Sequence, residues 1–116
     1  MRISTKFGSL LVAGAAALAV AGAPVAHADP DTAFAKQLQG YGIYGQKDYN
    51  AWIAKIMCKR LHKGVDRDAF ASAEFVHAQL QKDSSTEQAW QFVGAAIPVY
   101  CPELTDVLVR AAENKE

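Results

Sequence analysis

Apolar residues recur at helical spacing along most of the chain, and they are densest between Tyr49 and Leu61. At about 100° per residue, the apolar side chains of this segment spread over most of the helix circumference. A helix that is apolar nearly all round is normally buried on several sides. We therefore expect Tyr49–Leu61 to be the central helix, capped by Asp48 and ended at Gly64. Its narrow polar window consists of Ala51, Lys55, Lys59 and His62.

The segments on either side of the central helix also have apolar residues at helical spacing. A first helix begins at Asp29-Pro30-Asp31, because an Asp can cap the free amides and Pro suits the first turn. It ends in residues 40–45, where three glycines permit the backbone angles that stop a helix. A third helix runs from residue 66 or 67 to about residue 82. Its apolar side chains include Phe70, Val76 and Leu80.

Two more helices are predicted after residue 83. Ser84 and Glu87 stand three apart as in a capping box, so a fourth helix should start at about residue 85. Pro98 should kink or locally break this helix, and Phe92 lies to one side of its buried stripe. A last, short helix runs from Pro102 to about residue 112. Because no stretch alternates with the period of a strand, we predict an all-α fold, a small bundle of four or five helices.

Residues 1–28 have the pattern of a secretory signal peptide. Two basic residues precede an apolar run over residues 10–23, and Ala26-His27-Ala28 fits an A-x-A cleavage site. The apolar run is too short to cross a bilayer comfortably, which makes an uncleaved membrane anchor the weaker alternative. We expect cleavage between Ala28 and Asp29. The product would be secreted, or associated with the cell envelope, without a stable membrane anchor.

Removal of that leader changes the charge balance. The whole chain has 12 Lys and Arg against 12 Asp and Glu, and all the acidic residues lie after residue 28. Residues 29–116 are therefore slightly acidic. This argues against a nucleic-acid-binding protein, because such proteins need a basic surplus on one face. A chain of this length forms one small helical domain, and a covalent crosslink would help to stabilise its small core.

Cys58 and Cys101 are the only cysteines, and we expect them to form that crosslink. Disulfides persist in the oxidising compartments where an exported protein works. The alternative is a pair of free thiols that bind a metal or act as a redox pair. It is weaker, because the chain has no C-x-x-C motif and no His spacing typical of a zinc site. We therefore expect a disulfide and no metal site.

Residues suited to catalysis are few. Ser72 lies about one turn before His77, and Glu74 could complete a triad, but neighbours on one helix rarely leave a cleft for substrate. His77 is more simply a core or boundary residue, with haem ligation together with a Tyr as the alternative. The glycines of residues 40–45 precede no strand-turn-helix unit, so they indicate a flexible connection and not a phosphate-binding loop. We predict no catalytic residues, no enzyme activity and no cofactor.

Basic side chains form one candidate binding surface along the polar window of the central helix. The simpler interpretation is a solvated face whose last turn offsets the helix dipole. The alternative is a patch that recognises anions, such as lipid head groups or an acidic protein surface. This candidate anion patch consists of Lys55, Lys59, His62 and Lys63.

Aromatic side chains form a second candidate surface. The first helix and the glycine-rich loop could close over these side chains. Alternatively, a chain this small has too few helices to cover them, and the groove left open would suit an apolar molecule or a segment of a partner. This candidate binding groove consists of Tyr41, Tyr44, Tyr49 and Trp52.

Three motifs, two of them around the cysteines, carry a resemblance to a known family. They are Asp31-x-x-Phe34-x-x-x-Leu38 with Gly42-Ile43, Cys58-x-x-Leu61-x-x-Gly64 and Ala96-x-x-x-Tyr100-Cys101-Pro102. The chain resembles the small exported mycobacterial proteins catalogued as domain of unknown function seven-three-two. The resemblance implies an exported mycobacterial protein with a small helical fold and one disulfide, and it implies no activity. Family members often have a Gly one turn before the first cysteine, where this chain has Ala54.

These observations predict a function in binding and not in catalysis. We expect an exported, non-enzymatic interaction module of the cell envelope or culture filtrate, with an unknown protein as partner. The alternative is a carrier of an apolar small ligand, either a lipid or haem. A carrier needs an enclosed apolar cavity, whereas an interaction module presents an open patch or groove.

Overall fold

Five α-helices make up the part of the chain that the structure, a computed structural model, describes, which is residues 29–114. The predicted signal peptide and its cleavage after Ala28 lie outside the described residues. No strand occurs within residues 29–114, so the predicted all-α bundle is confirmed. The helices are α1 (Pro30–Gly40), α2 (Lys47–His62), α3 (Ala69–Gln79), α4 (Thr86–Tyr100) and α5 (Thr105–Asn114), with a 3₁₀ turn at Pro102–Leu104.

The starts of the helices confirm the predicted cap of α1 and correct the predicted caps of α2 and α4. The Asp29 carboxylate accepts from the Asp31 N–H at 3.0 Å and caps α1, as expected. Helix α2 begins at Lys47 without a side-chain cap, so Asp48 lies in the first turn, where its charge favours the positive end of the dipole. The prediction of Asp48 as a cap is wrong.

The capping box of α4 lies one residue later than predicted. Ser85 and Gln88 form it, and not Ser84 and Glu87. Both pairs have the required spacing, so local sequence alone does not separate them. The Gln88 side chain also donates to the carbonyl oxygen of Tyr41 at 3.0 Å, a tertiary contact that accompanies the observed register.

Helix α3 is shorter than predicted, and α4 is not broken at its proline. Asp68 caps α3, because Asp66 is buried in an ion pair with Arg60 and stands outside the helix. Helix α4 continues through Pro98 to Tyr100, so the proline does not break it. Pro98 lies in the last turn of the helix, and its missing N–H removes only a single helical hydrogen bond.

The core lies between α1, α2, α3 and α4. Phe34 meets Phe92 at 5.3 Å between ring centroids and Tyr100 at 5.2 Å, both edge to face. Phe92 is fully buried, so its predicted place to one side of the stripe is wrong; α1 covers that side of α4 and brings Phe34 onto the ring. Burial of one such side chain contributes about 1.5–3 kcal/mol. The other large, fully buried side chains include Leu38, Ile53, Met57 and Ile97.

Cys58 and Cys101 form the predicted disulfide, with their Cα atoms 6.0 Å apart. The bond joins the last turns of α2 to the end of α4 across a separation of 43 residues. By the chain-entropy estimate, a loop of that length contributes roughly 4 kcal/mol to the free energy of unfolding. For a net stability of about 5–15 kcal/mol, this is a large share.

Helix α2 contacts α1, α3 and α4, as expected of the central helix, but only one of its faces is buried. The prediction of burial on several sides is wrong, because the neighbouring helices all lie on the same side. Ala51, assigned to the polar window, is buried, while Tyr49 and Trp52 face solvent. The buried inner face consists of Asn50, Ala51, Ile53, Ala54, Met57 and Cys58.

Candidate functional site

An open cleft of about 420 Å³ lies at one end of the bundle. One wall is the loop between α1 and α2, residues 42–45, and the opposite wall is the end of α3 with the loop that leads to α4, residues 79–84. Tyr49 and Asn50, at the start of α2, lie between the two walls. The volume lies within the range of about 300–1,000 Å³ that is typical of ligand-binding clefts.

The first wall owes its shape to a glycine-rich exit from α1. The N–H groups of Gly42 and Ile43 donate back to the carbonyl oxygens of Gln39 and Leu38, which ends the helix. Gly42 has a φ of 81°, a conformation that L side chains rarely adopt. Ile43 is buried in the core and anchors the loop there, so this connection is held in place at its middle.

The second wall is held by hydrogen bonds within residues 77–84. The Nε2 atom of His77 donates to the carbonyl oxygen of Ser84 at 2.9 Å, and the Ser84 N–H donates to the carbonyl oxygen of Gln81 at 2.9 Å. His77 is therefore an exposed boundary residue with one ring nitrogen bonded, as its simpler interpretation predicted. Its role in the structure is to position the wall of the cleft.

Gln88 connects the segments that adjoin the two walls. Its Oε1 atom accepts from the Ser85 N–H at 2.9 Å, and its Nε2 atom donates to the Tyr41 carbonyl oxygen at 3.0 Å. A Cβ atom at Gly42 would lie 3.2 Å from that Nε2 atom. A glycine at position 42 is therefore favoured twice, by the backbone angle and by the close approach of Gln88.

The carboxamide of Asn50 lies buried at the base of the cleft. Asn50 is 5% exposed, and its main-chain N–H donates to Gln46 at 3.1 Å. Within residues 29–114, no hydrogen-bond partner reaches its side chain, although a carboxamide has two donors and an acceptor oxygen. A buried polar group without a partner costs about 1–3 kcal/mol. Sequence reasoning missed this residue, because an Asn on a helix gives no signal of its own burial.

Aromatic rings form one side of the cleft and extend beyond it. Tyr44 and Tyr49 line the cleft with 65% and 43% of their surface exposed. Tyr49 contacts Trp52, with ring centroids 5.9 Å apart, and Trp52 is 55% exposed. The first helix and the loop therefore leave Trp52 open. Tyr41, the fourth member of the candidate groove, is exposed but does not line the cleft.

The candidate anion patch is only partly free of acidic neighbours. Lys55 lies 3.8 Å from Asp31, and His62 pairs with Glu103 at 2.6 Å. These contacts reduce the positive charge of half the patch. Lys59 and Lys63 are exposed, and helical geometry places both on the same outward side of α2 as Trp52.

Ser72 and His77 are not brought together as a triad requires. The Ser72 hydroxyl is buried and donates to Asp66 at 3.0 Å, whereas His77 bonds to Ser84. Asp66 also accepts three hydrogen bonds from the Arg60 guanidinium, which packs over the Phe75 ring at 4.2 Å. This cluster joins the end of α2 to α3. It is a structural connection that the spacing of the residues did not reveal.

A second polar cluster joins three helices beside the disulfide. The Tyr100 hydroxyl donates to Asp31 at 2.6 Å, and Lys55 lies over the Tyr100 ring at 5.6 Å. Burial, together with the hydrogen bond to the Asp31 carboxylate, raises the pKa of Tyr100 well above its usual value. The hydroxyl is therefore protonated and bonded. In the described part of the chain, no three His, Cys, Asp or Glu residues are grouped closely enough to hold a metal ion.

The comparisons with known proteins agree with the resemblance seen in the motifs. The family described as "Protein of unknown function (DUF732)" matches residues 30–103. Two proteins of Mycobacterium tuberculosis, "Uncharacterized protein Rv0559c" of strain H37Rv and "Uncharacterized protein MT0585" of strain CDC 1551, are each 49% identical over 107 residues. The alignments cover 92% of this chain and 95% of each relative. No solved structure matches this chain.

Proposed function

This chain belongs to the family described as a protein of unknown function (DUF732), and we propose that it is a non-enzymatic interaction module that binds a protein partner. Its binding surface is the outward side of α2, here called the outer face, formed by Tyr49, Trp52, Ile56, Lys59 and Lys63. The signal-peptide pattern of residues 1–28 supports a place of action in the cell envelope or the culture filtrate.

The observation that carries this proposal is the exposure of Trp52 on a helix whose opposite side is fully buried. The core takes in Phe34 and Phe92 completely but leaves the largest aromatic side chain of α2 in solvent. Large apolar groups exposed together mark interaction surfaces, and Trp and Tyr are the residues that contribute most to binding at such surfaces. Trp52 is therefore the anchor residue of the proposed interface.

The charges on the outer face specify the partner further. Lys59 and Lys63 follow Trp52 at helical spacing on the same side, and both are exposed. A complementary surface would place an apolar pocket over Trp52 and carboxylates opposite the two lysines. The partner is thus a protein with an apolar patch bordered by acidic residues.

The proposal is tested by photo-crosslinking in the host. A photo-crosslinking amino acid replaces Lys59 in one variant and Val109, an exposed apolar residue of α5, in a control variant. We expect a protein adduct from position 59 only. The partner is then purified and titrated against the wild type, Trp52→Ala and Val109→Ala.

Trp52→Ala should weaken binding by about 30-fold, which corresponds to the loss of a hot-spot residue. Val109→Ala should leave the affinity unchanged. Equal adducts at both positions, or an affinity that Trp52→Ala does not alter, would contradict the proposal.

No feature of residues 29–114 favours a carrier of an apolar ligand. The cleft is open, and amide, hydroxyl and carboxylate groups form much of its lining. Of the residues considered for haem, His77 bonds to Ser84 and Tyr100 bonds to Asp31. The interaction module is therefore the better supported of the two functions.

A further inference from the structure

We infer that the cleft beside the outer face is a site for an extended peptide segment, and that the Asn50 carboxamide pairs with the main chain of that segment. The inference rests on the proposed function, because it names what the partner inserts. Three features carry it: the buried carboxamide, the free main chain of the first wall, and the two tyrosine rings.

Asn50 is the first feature. Its side chain is buried at the cleft and has no hydrogen-bond partner within residues 29–114. A carboxamide presents one N–H group and one C=O group side by side, and an extended residue presents its own N–H and C=O along one edge of its chain, so the two can exchange a pair of hydrogen bonds. A bound main chain would satisfy the polar atoms that the free protein leaves unpaired, and binding would remove the cost of that burial.

The main chain of the first wall is the second feature. Within the described residues, the N–H groups of Tyr44 and Gly45 donate to no protein group. Gly45 has a φ of 129° and no side chain, so the backbone there is open to close approach. A Cβ atom at Gly45 would lie 3.5 Å from the Asn50 Nδ2 atom, which places the loop backbone and the carboxamide next to each other. An extended segment can pair with exposed main chain of this kind by strand addition.

The rings of Tyr44 and Tyr49 are the third feature, since they border the same space with their faces partly exposed. They provide apolar contact for a side chain of the segment, while Gln79 and Gln81 on the opposite wall can bond to its main chain. Tyr49 also contacts Trp52. A partner segment in the cleft would therefore continue directly onto the outer face.

The test uses a displayed library of random dodecapeptides, selected against the oxidised protein purified from its host. A selected peptide is titrated against the wild type, Asn50→Leu and a control, Gln37→Leu, which removes an exposed carboxamide of α1 outside the cleft. We expect Asn50→Leu to weaken binding by about tenfold or more, as the loss of two hydrogen bonds predicts, and Gln37→Leu to leave it unchanged.

The thermal midpoint separates this role from a structural one. Leu has nearly the shape of Asn and needs no hydrogen bond, so Asn50→Leu should melt at or above the temperature of the wild type. If the Asn50 side chain instead made a purely structural hydrogen bond, Asn50→Leu would lower the thermal midpoint. Should the variant fail to fold, the side-chain NH₂ signals of Asn50 in the wild type provide the test, since they must shift on addition of the peptide.

Each outcome has a distinct meaning. A library that yields no binder, or a binder that leaves the Asn50 signals unshifted, overturns the peptide site. If the Trp52-dependent partner is still found, the proposed function survives that failure. If an array of glycans yields an Asn50-dependent ligand and the library yields none, the cleft recognises a sugar, and the peptide inference is wrong.

Discussion

Both sides of α2 contain large apolar side chains, but only one side is covered by other helices. The inner face, from Asn50 to Cys58, is buried against α1, α3 and α4. The outer face has a Tyr and a Trp, yet both remain near half exposed or more. Apolar character alone therefore does not decide burial, because an apolar side chain is buried only where another element is available to cover it. One side of the helix stabilises the fold, and the other is left exposed to solvent.

The largest expected effect comes from removing the disulfide at the end of the inner face. Replacement of both Cys58 and Cys101 by Ala should lower the free energy of unfolding by roughly 4 kcal/mol, because the unfolded chain regains the freedom of a 43-residue loop. Urea denaturation followed by circular dichroism measures the change. Reduction of the wild type should cause a similar loss, and a shift below 1 kcal/mol would show that the bond adds little.

Substitution on the two faces of α2 tests the comparison directly. Met57→Ala on the inner face should cost about 3 kcal/mol, since it leaves a cavity in a fully buried site. Trp52→Ala on the outer face should change the free energy of unfolding by about 0.5 kcal/mol or less. The same denaturation experiment measures both. Equal losses would mean that the outer face is as much a part of the core as the inner face.

Two glycines near the end of α1 provide a matched pair of substitutions beside the cleft. Gly42→Ala should cost about 1–2 kcal/mol, because of the positive φ and the 3.2 Å approach to Gln88. Gly40→Ala is the matched control. Its Cβ atom would meet no neighbour within 4 Å, and a helical Ala is favoured over Gly, so the variant should be neutral or slightly more stable. Thermal melts of the two variants would separate these effects, and equal shifts would argue against a special role for Gly42.

The smallest effect concerns pH at the His62–Glu103 pair. The Glu103 backbone N–H, and after it the His62 side chain, hold the pKa of the Glu103 carboxyl below its usual value of 4.5. The folded state thus favours the carboxylate. Its contribution to stability is present above the usual pKa and is lost as the pH falls through the lowered value.

Melting temperatures between pH 7 and pH 3 therefore test the pair. The wild type should lose slightly more stability than Glu103→Gln as the pH passes below 4.5. Because both side chains are exposed, the difference should be small and should shrink further in high salt. Parallel curves for the two proteins would show that the pair contributes nothing.

Much of the local structure could be predicted from the sequence. Asp29 and Pro30 marked the start of α1, and the glycines at its end marked the turn into α2, because caps and backbone angles depend on a few neighbouring residues. Cys58 and Cys101 had only each other as partners. The motifs around them also indicated the family that the comparisons confirm.

The candidate site was only partly predictable. Tyr44, Tyr49 and Trp52 stood out as aromatic residues close in sequence, and the structure places them around one surface. Asn50 did not stand out, because its importance lies in being buried without a partner. The position of Gln88 across the cleft depends on a contact 47 residues away in sequence, and short-range patterns carry no information about such contacts.

The sequence by itself determined that the chain is helical, which segments form the helices, and which cysteines pair. These properties depend on interactions between residues a few positions apart, or on the absence of any other partner. Only the tertiary structure decided which side of α2 is covered, which of two capping registers is used, and where a cleft remains open. The physical reason is that burial is shared among all elements, so α1, α3 and α4 cover one face of α2 and leave Trp52 on the other in solvent.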